Sequence, residues 1–214
     1  CDKHKILLCS DLCDSPFSKY NGKYLNEYSV VSTCSFYQAH LLSCMESVII
    51  TSNDLDLIKI IRGMVNWGRN CTCVALENLL PNGSCGKRQS TWMQDIDSEL
   101  VTDHKYFFTY PGFNVKGLDI LAAIGIEQLK KADEICEKRV SIKNKTEEIF
   151  KKYVKGITFP KSHPKSEWVP FGVPIICESY DLRKKLVNYC ESNKYQTSGY
   201  LEGNLLMHPS YRKY

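Results

Sequence analysis

The feature that most constrains this chain is a short apolar run, His4 to Cys9 (HKILLC), that stops abruptly at Ser10 and Asp11. A run of that length bounded by polar residues predicts a buried strand that delivers side chains at its carboxyl end, with Asp11 at the tip. Ser32 to Tyr37 (STCSFY) and Val48 to Thr51 (VIIT) predict two further strands, and His40 falls in the connection between them. Loops at strand ends are where α/β proteins place their chemistry. Asp11 and His40 are therefore the first candidate site residues.

Asn53 is a good N-cap for a helix whose apolar positions Leu55, Ile58, Ile60, Ile61 and Met64 recur at helical spacing and end near Gly68. From Asn70 to about Lys105 no period persists, and so long a loop inside a compact protein is usually functional. It holds Cys71, Cys73 and Cys85, while Cys13 follows Asp11 far upstream. Thiolates grouped in this way suggest iron–sulfur or zinc ligation, although zinc loops usually come as paired C-x-x-C knuckles, which C-x-C fits poorly. Cys9, Cys34 and Cys44 read as buried apolar residues.

Gly117 to about Tyr153 predicts one long helix, with Leu118, Leu121, Ala122, Gly125 and Leu129 as its apolar stripe and a charged second half acting as a bridge. Gly156, Pro160, Pro164 and Pro170 punctuate the next stretch, after which Phe171 to Cys177 predicts a strand and Ser179 to Asn193 a capped helix. The expected organisation is a large-domain portion over 1–130, a bridging helix over 131–153 and part of a smaller domain over 154–214.

Composition narrows the function classes. The chain has 214 residues, 43% of them hydrophobic, enough for a substantial core. A net charge of +4, from 28 basic and 24 acidic residues, argues against a nucleic-acid footprint but tolerates a phosphorylated ligand. Eleven cysteines is an odd count and no secretory signal is visible, so a reducing, cytoplasmic compartment is expected and the sequons at Asn70, Asn82 and Asn144 read as chance. No run approaches the roughly 20 apolar residues that span a bilayer, so no membrane association is expected.

The segments DLCD, SKYNGKY, SFYQAH, NWGRNCTC, CGKR, DHKY and GFNVKGLDILAAIGIEQL, in that order, resemble the DegT/DnrJ/StrS sugar-aminotransferase family, and within it the CDP-4-keto-6-deoxyglucose 3-dehydrase branch. WVPFGVPI and GNLLMHP continue the similarity toward the end of the chain. The resemblance implies an α/β fold of the type I pyridoxal-phosphate transferase, aspartate-aminotransferase-like class. The chain would supply the later part of the large cofactor-binding domain and the start of a small α+β domain, with the earlier half of the large domain missing.

It also implies a site. Ordinary members carry a Schiff-base lysine at the position held here by His40, and an imidazole has no primary amine. The cofactor would then stay as unanchored pyridoxamine phosphate, with His40 the proton-transfer base. Asp11 matches the aspartate that keeps the pyridine nitrogen protonated, Ser35 a phosphate-contacting hydroxyl, and Asn114 a residue that reaches the neighbouring subunit of a homodimer. Cys13, Cys71, Cys73 and Cys85 match the ligands of a 2Fe–2S cluster, with a longer gap between Cys73 and Cys85 than the family pattern. The implied activity is loss of the C3 hydroxyl from a nucleotide-linked 4-keto-6-deoxyhexose, followed by one-electron reduction from a separate reductase, as in 3,6-dideoxyhexose and lipopolysaccharide biosynthesis.

Several positions depart from the family pattern. A glycine-rich GEGG-like stretch reads MESV (Met45 to Val48), a Gly-Asp pair reads Ser29-Val30, and an arginine expected near Thr197 reads Ser198. A decayed or partial copy would keep the fold's signature without turnover. Two other functions compete: a pyridoxal-phosphate aminotransferase, which needs a lysine where His40 stands, and a non-catalytic module whose loop is fixed by a metal.

Overall fold

The buried strand expected over His4 to Cys9 is displaced toward its carboxyl end, sharing Cys9 alone with the observed strand, of which Asp11 is the last residue. In the computed structural model, which describes residues 1–69, 71, 81–82, 85, 106–200 and 203–213, β1 covers only Cys9–Asp11. It runs parallel to β4 (Val31–Ser35), with Asp11 opposite Thr33, and β4 pairs antiparallel with β5 (Val48–Thr51). The parallel ladder extends past both ends of β1, since Val30 N–H donates to the Leu8 carbonyl and Leu12 N–H to that of Thr33. The preceding apolar residues are not buried. Ile6 is 61% exposed and Leu7 73%, and both precede β1.

A hairpin fills the crossover from β1 to β4. Its strands β2 (Lys19–Tyr20) and β3 (Lys23–Tyr24) are joined by Asn21 and Gly22, both at positive φ (51° and 77°). That is the two-residue Asn-Gly turn whose twist matches flanking strands. On its other edge β2 pairs antiparallel with β7 (Ser166–Glu167), drawn from far along the chain.

The helix α1 (Leu55–Val65) starts one residue later than expected, because Asp54 is its cap: one carboxylate oxygen accepts from Asp56 N–H and Leu57 N–H at 3.0 Å each. The predicted long helix is two, α2 (Asp119–Leu129) and α3 (Ala132–Tyr153), broken at Lys130 and Lys131 with no proline or glycine to mark it. The break turns Ala132 into the main core, where it joins Phe36, Leu42 and Cys44, with Phe17, Cys34, Ile124 and Ile135 packed alongside. Gly125 is the buried residue of α2, facing the Cys44 sulfur, whereas Leu118 and Leu129 of the expected stripe are exposed.

Beyond α3 come β6 (Ile157–Thr158), β7, and β8 (Ile176–Cys177), which pairs antiparallel with β6. The strand expected over 171–177 is thus reduced to its last two residues. The helix α4 (Tyr180–Ser192) forms as expected, capped by the Ser179 hydroxyl, which accepts from Leu182 N–H at 3.2 Å. Among the described residues no helix is long and apolar enough to cross a membrane.

Candidate functional site

Parallel pairing of β1 and β4 brings Asp11, Ser35 and the turn carrying His40 to the same end of the sheet. Asp11 is exposed at that end, and its carboxylate oxygen accepts from Cys13 N–H at 3.1 Å. The carboxyl is held below its ordinary value chiefly by a hydrogen bond from the Cys13 side chain. The Cys13 amide, Thr33 and the charge of His40 act in the same direction, and partial burial opposes them. A carboxylate that resists protonation at a strand tip is suited to hold a cationic ring nitrogen.

His40 is half-buried and held on several sides. Its amide donates to the Tyr37 carbonyl at 2.9 Å, and its ring packs edge-on to Tyr37 at 6.1 Å and tilted against Phe171 at 5.7 Å. Its Nε2 lies 3.5 Å from an Asp14 carboxylate oxygen. Its Nδ1 is buried without a hydrogen-bond partner. An imidazole with a carboxylate near one nitrogen and the other nitrogen unused has the makings of a proton carrier. Asp14 and Phe171 were not singled out from sequence. Asp14 lies in the same DLCD segment as Asp11, and its spacing from Asp11 was the available signal.

The remaining expected residues fall in different places. The Ser35 hydroxyl accepts from Tyr37 N–H at 3.1 Å, so it shapes the turn leading to His40. Asn114 is exposed and forms an isolated antiparallel bridge with Asn66 beyond α1, with no described bond to the Asp11 and His40 group. Cys13 sits beside Asp11, and its thiol is raised above the ordinary value, mainly by burial and then by the hydrogen bond to Asp11. Cys71 and Cys85 are free, half-buried thiols, and Cys73 lies outside the described residues. Among the described residues no group of three or more His, Cys, Asp or Glu is arranged to hold a metal. Of the cysteines read as apolar core, Cys44 is buried and Cys34 intermediate, but Cys9 is exposed at the start of β1.

The cysteine-bearing loop is closed at its base. Residues 66–69 pair with 108–115 through the bridges Asn66 to Asn114 and Arg69 to Phe108. Trp67 N–H donates to the Phe113 carbonyl at 3.1 Å, Phe113 N–H to that of Met64 at 2.8 Å, and Thr109 N–H to that of Gly68 at 2.8 Å. Gly68, at φ +81°, and Gly112 let the two backbones touch, since a Cβ on Gly68 would lie 1.7 Å from the Tyr110 oxygen. The NWGR (66–69) and GFN segments, both within motifs singled out from sequence, thus form one structural unit.

Comparisons with known proteins place the chain in a family and a fold. The chain is 30% identical to a dTDP-4-dehydro-2,6-dideoxy-D-glucose 3-dehydratase of Saccharopolyspora spinosa, over 99% of its own length and 45% of that protein's. It is 29% identical to the lipopolysaccharide biosynthesis protein RfbH of Salmonella typhimurium, over 97% and 47% respectively. A GDP-4-keto-6-deoxy-D-mannose 3-dehydratase of Escherichia coli is 27% identical over 98% of the chain and 50% of the relative. The chain therefore spans about half the length of the curated relatives it matches.

Among solved structures, an aminotransferase from Brucella abortus superposes with a TM-score of 0.72 at 18% identity, covering 100% of this chain and 47% of that one. The E. coli GDP-4-keto-6-deoxy-D-mannose 3-dehydratase with bound hydrated pyridoxal phosphate gives 0.66 at 22%, covering 99% and 51%. The fold is that of about half a pyridoxal-phosphate-dependent aminotransferase, as the family resemblance implied. Since the family's sequence profile matches residues 1–214 throughout, the chain belongs to the DegT/DnrJ/EryC1/StrS aminotransferase family.

Proposed function

We propose that this chain is the later half of a 3-dehydratase that removes the C3 hydroxyl of a nucleotide-linked 4-keto-6-deoxyhexose, using pyridoxamine phosphate held without a covalent anchor. The observation that carries the reading is His40, an imidazole at the strand-tip end of the sheet where an aminotransferase needs a primary amine. It is electrostatically coupled to Asp11 and lies 3.5 Å from Asp14. Lysines nearby in sequence are committed elsewhere: Lys19 and Lys23 belong to the hairpin, and Lys59 pairs with Asp56 on α1.

The residues present fit a pyridine-type cofactor at one end. Asp11, with its lowered carboxyl, would face the ring nitrogen, and the partly exposed imidazole of His40 would carry the proton. When bound, the cofactor supplies an amine for the sugar ketone and a ring that accepts electrons. Asp14 stabilises positive charge on the imidazole when His40 carries the proton, and Tyr37 and Phe171 keep water from two of its faces. Asn114 is assigned to a second copy's site across a homodimer, a role consistent with its exposed apolar neighbours Phe113 and Val115, 74% and 66% accessible.

A 2Fe–2S cluster on Cys13, Cys71, Cys73 and Cys85, fed by a separate reductase, is implied by the resemblance, but the three described thiols, Cys13, Cys71 and Cys85, are not grouped to hold a metal. Cys13 is its weakest member, because its thiol is bonded to Asp11. The deciding experiment replaces His40 with asparagine in the full-length protein. Proton exchange at the aminomethyl carbon of added pyridoxamine phosphate should vanish while ultraviolet–visible bands and iron content persist. Normal exchange in that variant removes His40 from the mechanism. Unchanged iron in Cys73→Ser removes the cluster assignment alone.

A further inference from the structure

The helix α3 places three residues on one face, Ala132, Ile135 and Arg139, at the spacing that stacks side chains along a helix. The first two enter the core beneath the SFYQAH turn, against Phe36, Leu42 and Cys44. One turn further on, Arg139 reaches out of that core and its guanidinium donates to three carbonyls from two distant segments. Nη1 bonds the Phe171 oxygen at 2.8 Å and the Pro170 oxygen at 3.4 Å, and Nη2 bonds the His40 oxygen at 3.4 Å. The segment so captured is fastened a second time. The Ser18 hydroxyl, buried, accepts from Val169 N–H at 3.0 Å and donates to the Val169 carbonyl at 3.4 Å. It is also anchored by β7 to the hairpin, where Asn21 N–H donates to the Lys165 carbonyl at 2.8 Å.

We propose that Arg139 and Phe171 are positioning residues for His40: the guanidinium spans the His40 and Phe171 carbonyls so that the Phe171 ring is clamped against the imidazole. The proposal rests on the reading of His40 as the proton-transferring base. A planar fork with fixed donor directions is what such a span requires, and an ammonium offers a single point in its place. Without the clamp, the His40 backbone keeps its bond to the Tyr37 carbonyl and the imidazole its approach to Asp14 and Tyr37, but the ring loses the Phe171 surface that fixes its plane. The WVPFG segment, remote in sequence, thereby acts on the strand-tip site without touching the reacting atoms.

The test needs no cofactor and uses the whole chain. With labelled histidine, the His40 ring resonances are identified by their loss in His40→Asn, and their Overhauser contacts to Phe171 are recorded. Arg139→Met, which keeps the aliphatic stem, should abolish those contacts and average the ring signals, while Arg139→Lys restores them only in part. Phe171→Ala should raise the rate at which diethylpyrocarbonate modifies His40 several-fold. As a control for general loosening, Asp54→Ala removes the α1 cap and should leave the His40 signature as it is. Retained Phe171 contacts in Arg139→Met, an unchanged modification rate in Phe171→Ala, or the same losses in Asp54→Ala would each overturn the proposal. None of these outcomes depends on whether His40 moves a proton, which the exchange experiment on His40→Asn decides separately.

Discussion

Replacing Gly68 with alanine should pry open the base of the cysteine-bearing loop. The added Cβ would lie 1.7 Å from the Tyr110 oxygen and 2.8 Å from its carbonyl carbon, and the residue would have to hold φ +81°. The left-handed conformation alone costs about 1–2 kcal/mol for a residue with a side chain. Relieving the clash means moving the 108–112 backbone away, which breaks the bonds from Thr109 and Tyr110 N–H to the Gly68 carbonyl, 2.8 and 3.2 Å long. Each such bond contributes on the order of 1 kcal/mol net, so the expected loss is about 3–4 kcal/mol. Gly117→Ala is the matched control, since its Cβ would meet nothing within 4 Å, and surface changes of that kind stay within about 0.5 kcal/mol. Urea unfolding measures both, and native-state hydrogen exchange at Thr109 and Phe113 locates the damage. A loss in Gly68→Ala no greater than in Gly117→Ala would refute the close-packed neck.

Three further outcomes are expected. Met45 sits at φ +67° and is 61% exposed; Met45→Gly should stabilise the chain by about 0.5–1 kcal/mol, and a lower urea midpoint would contradict the backbone assignment. The Asp11 carboxyl is depressed in the folded state, so its contribution is complete above the ordinary carboxylate range and is lost as pH falls through the lowered value. Cys13→Ala should move its carbon-13 titration upward, and an unmoved curve would remove the thiol as the cause. Burial pushes the Cys34 thiol up to about 11, so at pH 8 Cys34 should resist a disulfide-exchange reagent that labels exposed Cys9; equal labelling rates would show that Cys34 is not protected.

What could be read from the sequence was what local chemistry decides. Val48 to Thr51 is a β-branched run with nothing to break it and forms β5, and Ser179 followed by a mixed helix pattern forms a capped α4. The Asn21-Gly22 turn was as legible, since the dipeptide itself prescribes the hairpin, yet its motif was read for family likeness alone. What could not be read was which surfaces get covered. HKILLC is as apolar as a core strand, but burial is a property of neighbours, and Leu7 stays 73% exposed among the described residues. The break at Lys130 and Lys131 likewise has no local cause. It is set by where Ala132 and Ile135 find Phe36 and Cys44. At the site, Asp11 and His40 emerged from strand ends, whereas Arg139 and Phe171 are joined to His40 across 99 residues and by a ring contact that no spacing announces.

The Ser18 to Val169 clasp, separated by 151 residues, sets a timetable for synthesis as well as a geometry. Contacts that distant form late, after shorter ones have organised the chain. While the polypeptide is still leaving the ribosome, β4, β5 and α1 can assemble, yet the imidazole has Tyr37 as its one aromatic neighbour until Phe171 has emerged. A nascent chain stalled before that point would hold its histidine on one side fewer than the finished fold does. Premature termination ahead of the proline-rich stretch should therefore yield a product that keeps its first sheet with Asp11, Asp14 and His40 but lacks the Phe171 contact to the imidazole.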